Sequence, residues 1–110
     1  MSPYLSLLLA IILETIATIS LKKTEQFQEL VPSIICIMGY LGAFYFLSLT
    51  LKTMPVGIVY AIWSGIGIVL ITLAGIFIFQ QKPDLPAIIG MSLIVSGVVC
   101  IQLFSKMNAH

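Results

Sequence analysis

Four apolar runs, at roughly 3–21, 32–51, 56–79 and 86–104, fill most of the 110 residues. Each is close to the roughly 20 residues that a helix needs to cross the hydrocarbon core of a bilayer. In lipid, every backbone N–H and C=O must find a partner inside the protein, which leaves helices or a closed barrel. The runs are continuous and do not alternate in period two, which argues against a barrel. With 60% hydrophobic and 8% charged residues, the chain has too little polar surface for a soluble domain. The expected fold is an all-α membrane protein with four transmembrane helices per protomer, in one transmembrane domain over 1–110. Pro3, Pro32, Pro55 and Pro86 fall at or just before the start of a run, where a missing N–H costs no hydrogen bond. No Lys or Arg precedes the first run, which also exceeds the length of a signal-peptide core, so it is expected to be a retained helix.

One residue breaks the pattern. Glu14 lies inside the first run, PYLSLLLAIILETIATISL, seven residues before its end and so on the order of 10 Å from the nearer surface. Holding a charged carboxylate there costs several kcal/mol, and such a residue is a functional-site candidate by default. Desolvation favours the neutral form, and a group balanced in this way can exchange a proton for a cation. At 100° per residue, Leu7, Ala10, Ile11, Ala17, Thr18 and Leu21 lie within about 60° of Glu14 and line the same stripe. Ala10 and Ala17 leave room beside the carboxylate. Thr18 is the polar neighbour, although a threonine in a membrane helix can also bond back to the preceding turn.

The second run places Tyr40 and Phe44 four residues apart on one face, as aromatic surface for a ligand or for a neighbouring helix. In the third, Tyr60, Trp63, Ser64 and Gly67 share a mixed aromatic and polar face that lipid does not require. Trp63 also suits an interfacial anchor. Gly65 and Gly67 form either a hinge or a point of close helix contact. The fourth run carries no charge and spaces Gly90 and Gly97 seven apart, with Ser92 and Ser96 four apart, which suits helix association in a membrane. Lys22, Lys23, Glu25, Glu29, Lys52, Lys82 and Asp84 fall in the joints and read as solvated charge at headgroup level. The tail, with Lys106 and His110, reads as a free end, with a pH-sensitive contact at the pocket mouth as the alternative.

The remaining chemistry is sparse. A net charge of +1 offers no basic patch for nucleic acid. Cys36 and Cys100 fall inside runs and read as small buried hydrophobes. Without a nucleophile, phosphate loop or metal-ligand set, the chain is not expected to be an enzyme or to carry a cofactor or a metal.

Short joints make consecutive helices antiparallel neighbours. With four spans, Lys52 and Lys106 lie on one side and Lys22, Lys23 and Lys82 on the other, almost no positive-inside bias. Such a chain can insert in both orientations and pair as an antiparallel homodimer. Trp63 lies about 9 Å in from the side opposite that of Glu14. Inverting one copy therefore levels Glu14 of one protomer with Tyr60 and Trp63 of its partner.

Glu14, the segment PVGIVYAIWSGIGIVLI from Pro55, PDLPAIIGM from Pro83 and SGVV from Ser96 together carry a resemblance. Over essentially its whole length, the chain resembles the small multidrug resistance exporters of bacteria. The resemblance implies a multi-pass inner-membrane protein, an antiparallel dimer, and export of lipophilic or quaternary ammonium cations in exchange for protons. It also implies that Glu14 is the shared proton and substrate site, lined by Tyr40, Tyr60 and Trp63. Leu7, Ala10, Ile11, Ala17, Thr18, Phe44 and Ser64 would surround that site, Gly65 and Gly67 would bend the third helix, and Gly90, Leu93, Ile94 and Gly97 would make the dimer contact. Ala17 stands where well-known members have glycine, and Ala43 where they often have serine. Alternative readings are a guanidinium-type exporter or heterodimer subunit of the same architecture, and a non-transporting four-helix accessory subunit. Glu14 argues against the last.

Overall fold

The structure, a computed structural model, describes residues 2–106. It is all-helical: α1 (Pro3–Lys23), α2 (Leu30–Thr50), α3 (Val56–Phe77) and α4 (Leu85–Phe104), each long and apolar enough to cross a membrane. His110 lies outside the described residues, and with it the expectation for the end of the tail.

The helix ends differ from the sequence boundaries by one or two residues, for local reasons. α1 continues through Lys22 and Lys23, whose charges complement the negative end of the helix dipole. α2 begins at Leu30, so Pro32 sits within the first turn and not at its start; Pro is tolerated there because the first N–H groups have no intrahelical partner. α3 stops at Phe77, short of residue 79. Gln80 turns into the left-handed region with φ 59°, and the Gln81 N–H closes on the Gly75 carbonyl at 2.9 Å. Asp84, expected to be merely solvated, is the N-cap of α4: its Oδ1 accepts the Ala87 N–H at 3.0 Å, with Pro86 in the first turn.

The chain forms two compact units, 1–53 and 54–110. In the first, α1 and α2 make an antiparallel hairpin. Thr50 Oγ1 lies 3.5 Å from the Pro3 carbonyl at one end, and Thr18 meets Tyr40 further along. Between them the helices approach so closely that a Cβ on Gly39 would stand 2.9 Å from Ala17 Cβ and 3.2 Å from the Leu13 carbonyl oxygen. Leu7, Ala10, Ile11 and Ala17 of α1 and Cys36, Ala43 and Thr50 of α2 are buried. The connection is unusual in that Glu25, Gln26 and Phe27 all have positive φ, at 50°, 62° and 66°. L-residues pay roughly 1–2 kcal/mol each for this. The Gln28 and Glu29 N–H groups converge on the carbonyl of buried Thr24, at 2.9 and 3.0 Å, and hold the turn.

In the second unit α3 and α4 also run antiparallel. A Cβ on Gly65 would stand 2.7 Å from Val98 Cγ2, and Thr72 Oγ1 donates to Met91 Sδ at 3.0 Å. The contact is sparser. Among the described residues none on α4 is buried, and a cleft of about 510 Å3 opens between the helices, lined mainly by aliphatic groups with Thr72, Met91 and Ser96 among them.

Candidate functional site

The first unit gathers the α1 stripe around the carboxylate. Glu14 is half-buried, with Leu7, Ala10, Ile11 and Ala17 buried on its face and Leu21 exposed. Thr18, one turn on, donates its hydroxyl to Glu14 Oε1 at 2.7 Å. The same Thr18 oxygen lies 2.8 Å from the hydroxyl of Tyr40 on α2. Back-bonding to the preceding turn, open to Thr18 from the sequence, is the arrangement of Thr15, whose hydroxyl reaches the Ile11 carbonyl at 2.8 Å. The three polar side chains thus form one chain across the hairpin, Tyr40 to Thr18 to Glu14. An ionised carboxylate accepts only, and each such charge-assisted bond is roughly twice as strong as a neutral one.

Two aromatic pairs fall where the spacing puts them. The Tyr40 and Phe44 rings stack with centroids 6.3 Å apart and planes at 22°. In the second unit, the Tyr60 and Trp63 rings lie 6.5 Å apart at 49°, Tyr60 exposed, and Trp63 and Ser64 half-buried. Gly67 makes room for the indole: Trp63 Cδ1 is 3.5 Å from where a Gly67 Cβ would stand. Gly65 faces Val98, so in this conformation it is a point of close helix contact within a continuous α3. Gly90 and Gly97 face open space, with no described atom within 4 Å of a Cβ built on either, and Leu93 and Ile94 are exposed.

Sequence periodicity did not reveal the link from Tyr40 through Thr18 to Glu14, because residues 22 positions apart are brought together by the hairpin alone. The Asp84 cap did have a signal: an acidic residue directly before an apolar run with Pro in its first turn. Among the described residues no three His, Cys, Asp or Glu side chains cluster as a metal site, and Cys36 and Cys100 are free thiols, the first buried and the second exposed.

The chain is similar to known proteins over its whole length. The model of the family described as "Small Multidrug Resistance protein" matches residues 2–94. The chain is 52% identical to the quaternary ammonium compound-resistance protein QacE of Escherichia coli. It is 50% identical to the quaternary ammonium compound-resistance protein QacF of Klebsiella aerogenes, and 49% to the multidrug transporter EmrE of Escherichia coli K12. Each alignment spans 110 residues and the whole of both chains.

Proposed function

The chain belongs to the small multidrug resistance family, and from that premise we propose that it is a proton-coupled antiporter exporting lipophilic and quaternary ammonium cations. It is a multi-pass protein of the bacterial inner membrane and not an enzyme. In the proposed cycle, protons and cation compete for Glu14 by alternating access. Protonation neutralises the carboxylate; a lipophilic cation displaces the proton and is held by the remaining charge and by aromatic faces. Either guest occupies the site, never both.

One observation carries this reading: a half-buried carboxylate at mid-helix, in a helix that crosses the membrane, with hydrogen-bonded Thr18 beside it. A scaffold has little use for such a group. The ring pairs Tyr40–Phe44 and Tyr60–Trp63 favour broad lipophilic cations over guanidinium alone, since aromatic faces attract positive charge without fixing donor geometry.

The working form is proposed to be an antiparallel homodimer, with Glu14 of one copy facing Tyr60 and Trp63 of the other. Gly90, Leu93, Ile94 and Gly97 would form the contact between copies. Support comes from α4, on which no described residue is buried and whose Gly90 and Gly97 have no described atom within 4 Å of a built Cβ.

Transport of tetraphenylphosphonium in proteoliposomes under a proton gradient tests the mechanism. Glu14→Gln abolishes proton-driven movement, and Glu14→Asp retains part of it with an altered pH profile. Undiminished efflux by the Gln variant rejects the proposal.

A further inference from the structure

We infer that Thr18 is a positioning residue that transmits the charge state of Glu14 to Tyr40 by fixing the direction of the hydrogen-bond chain between them. The inference deepens the proposed proton–cation competition and rests on it. Thr18 has one hydroxyl proton and an oxygen that can also accept. Its oxygen lies 2.7 Å from Glu14 Oε1 and 2.8 Å from the Tyr40 hydroxyl, so both bonds share that single proton and its lone pairs.

With Glu14 ionised, only one arrangement satisfies the chain. The carboxylate cannot donate, so Thr18 spends its proton on Glu14, and the bond between Thr18 and Tyr40 must then use the phenolic proton. Tyr40 is pinned as a donor toward the carboxylate, leaving its oxygen lone pairs and its ring face for a cation. With Glu14 protonated, a second arrangement opens. The acid can donate to Thr18, Thr18 to Tyr40, and the phenolic proton is released toward whatever acceptor the pocket offers. The reversal needs only rotation of hydroxyl groups. Each proton stays on its own oxygen, and the exchanged proton enters and leaves at Glu14 alone. Thr18 thereby makes the Tyr40 end of the site receptive to a cation in the state in which Glu14 is charged.

Among the described residues, the other titratable groups of these two helices are Tyr4, Lys22 and Lys23 on α1 and Cys36 and Tyr45 on α2. Cys36 is buried one turn before Tyr40, and Tyr45 is exposed with its ring edge-on to Phe46. Lys22 and Lys23 lie on α1 two turns or more beyond Glu14, in the last turn of the helix. Buried Ala17 against Gly39 fixes the register that puts Thr18 opposite Tyr40.

The test is tetraphenylphosphonium binding to the full-length protein as a function of pH, for wild type, Thr18→Val, Thr18→Ser and Tyr40→Phe. Valine keeps the shape and removes the hydroxyl. Losing one charge-assisted bond to the ionised carboxylate moves the binding midpoint about one pH unit alkaline, a weakening of about tenfold on the acid side of that midpoint. The deficit shrinks as pH rises and Glu14 ionises in the variant too. Serine restores the wild-type profile. Tyr40→Phe shifts it in the same direction by less, and the double variant Thr18→Val with Tyr40→Phe shifts no further than Thr18→Val alone, because the chain acts as a unit.

A deficit equal at every pH, or serine displaced as far as valine, would mean packing alone and overturns the inference. If Thr18→Val does not fold, Tyr40→Phe decides: a wild-type pH profile there also overturns it. Failure of the antiport reading is separate, since it shows as proton-driven transport surviving Glu14→Gln.

Discussion

The two hairpins of this molecule share length, apolarity and antiparallel connection, and they pack differently. In α1–α2, glycine meets alanine and backbone at the crossing, with Gly42 against the end of Leu13, and the carboxylate, threonine and tyrosine join inside the contact. In α3–α4, helices of similar composition touch at Gly65 and Val98 but leave a cleft of about 510 Å3 elsewhere between them, and no described atom lies within 4 Å of a Cβ built on either glycine of α4. Lipid is as apolar as the side chains, so hydrophobicity does not press membrane helices together; close packing and hydrogen bonds do. The first hairpin has both. The second is short of both, which leaves α4 available to another copy of the chain, in line with the proposed dimer.

The comparison can be broken most directly at Gly39. Gly39→Val drives a branched side chain into Ala17 and the Leu13 carbonyl, where backbone cannot yield, and costs about 3 kcal/mol. Thermal unfolding in detergent should show the loss, and cation binding should fall with it as Thr18 and Tyr40 part. Gly97→Leu should do the opposite, leaving the helical content of the protomer intact while weakening self-association at least about tenfold, about 1.4 kcal/mol. Analytical ultracentrifugation in detergent reads this, and an unchanged dimer would place the contact elsewhere. Asp84→Ala removes the α4 cap, at about 1 kcal/mol, and hydrogen exchange should rise in the first turn of α4 with α1 and α2 unaffected. Smallest of all is Gly57→Ala. No described atom lies within 4 Å of the new methyl, so helix propensity alone should act and raise the melting temperature slightly, by at most about 1 kcal/mol of stability. A destabilised Gly57→Ala would mean that the surface of α3 is already in use.

Some of this was legible in advance because it follows from composition and spacing. The four spans, the approximate ends marked by proline, the isolated acid at position 14 and the pairing of Tyr40 with Phe44 and of Tyr60 with Trp63 all follow from periodicity along single helices. The left-handed turn at Glu25, Gln26 and Phe27 was not legible. Its sequence holds no glycine or asparagine to announce positive φ, and the conformation is held by Thr24 and its carbonyl.

The sequence by itself determined that this chain crosses a membrane as helices and submerges one carboxylate, because unsatisfied backbone and unpaired charge are too costly in hydrocarbon to admit other solutions. Tertiary structure alone decided which hydroxyl serves that carboxylate. Thr15 and Thr18 sit on the same helix near Glu14, and one turns back to its own backbone while the other bridges to Tyr40. The choice depends on the crossing register of α1 on α2, which is set by Ala17 fitting against Gly39, a contact between residues that no local pattern connects.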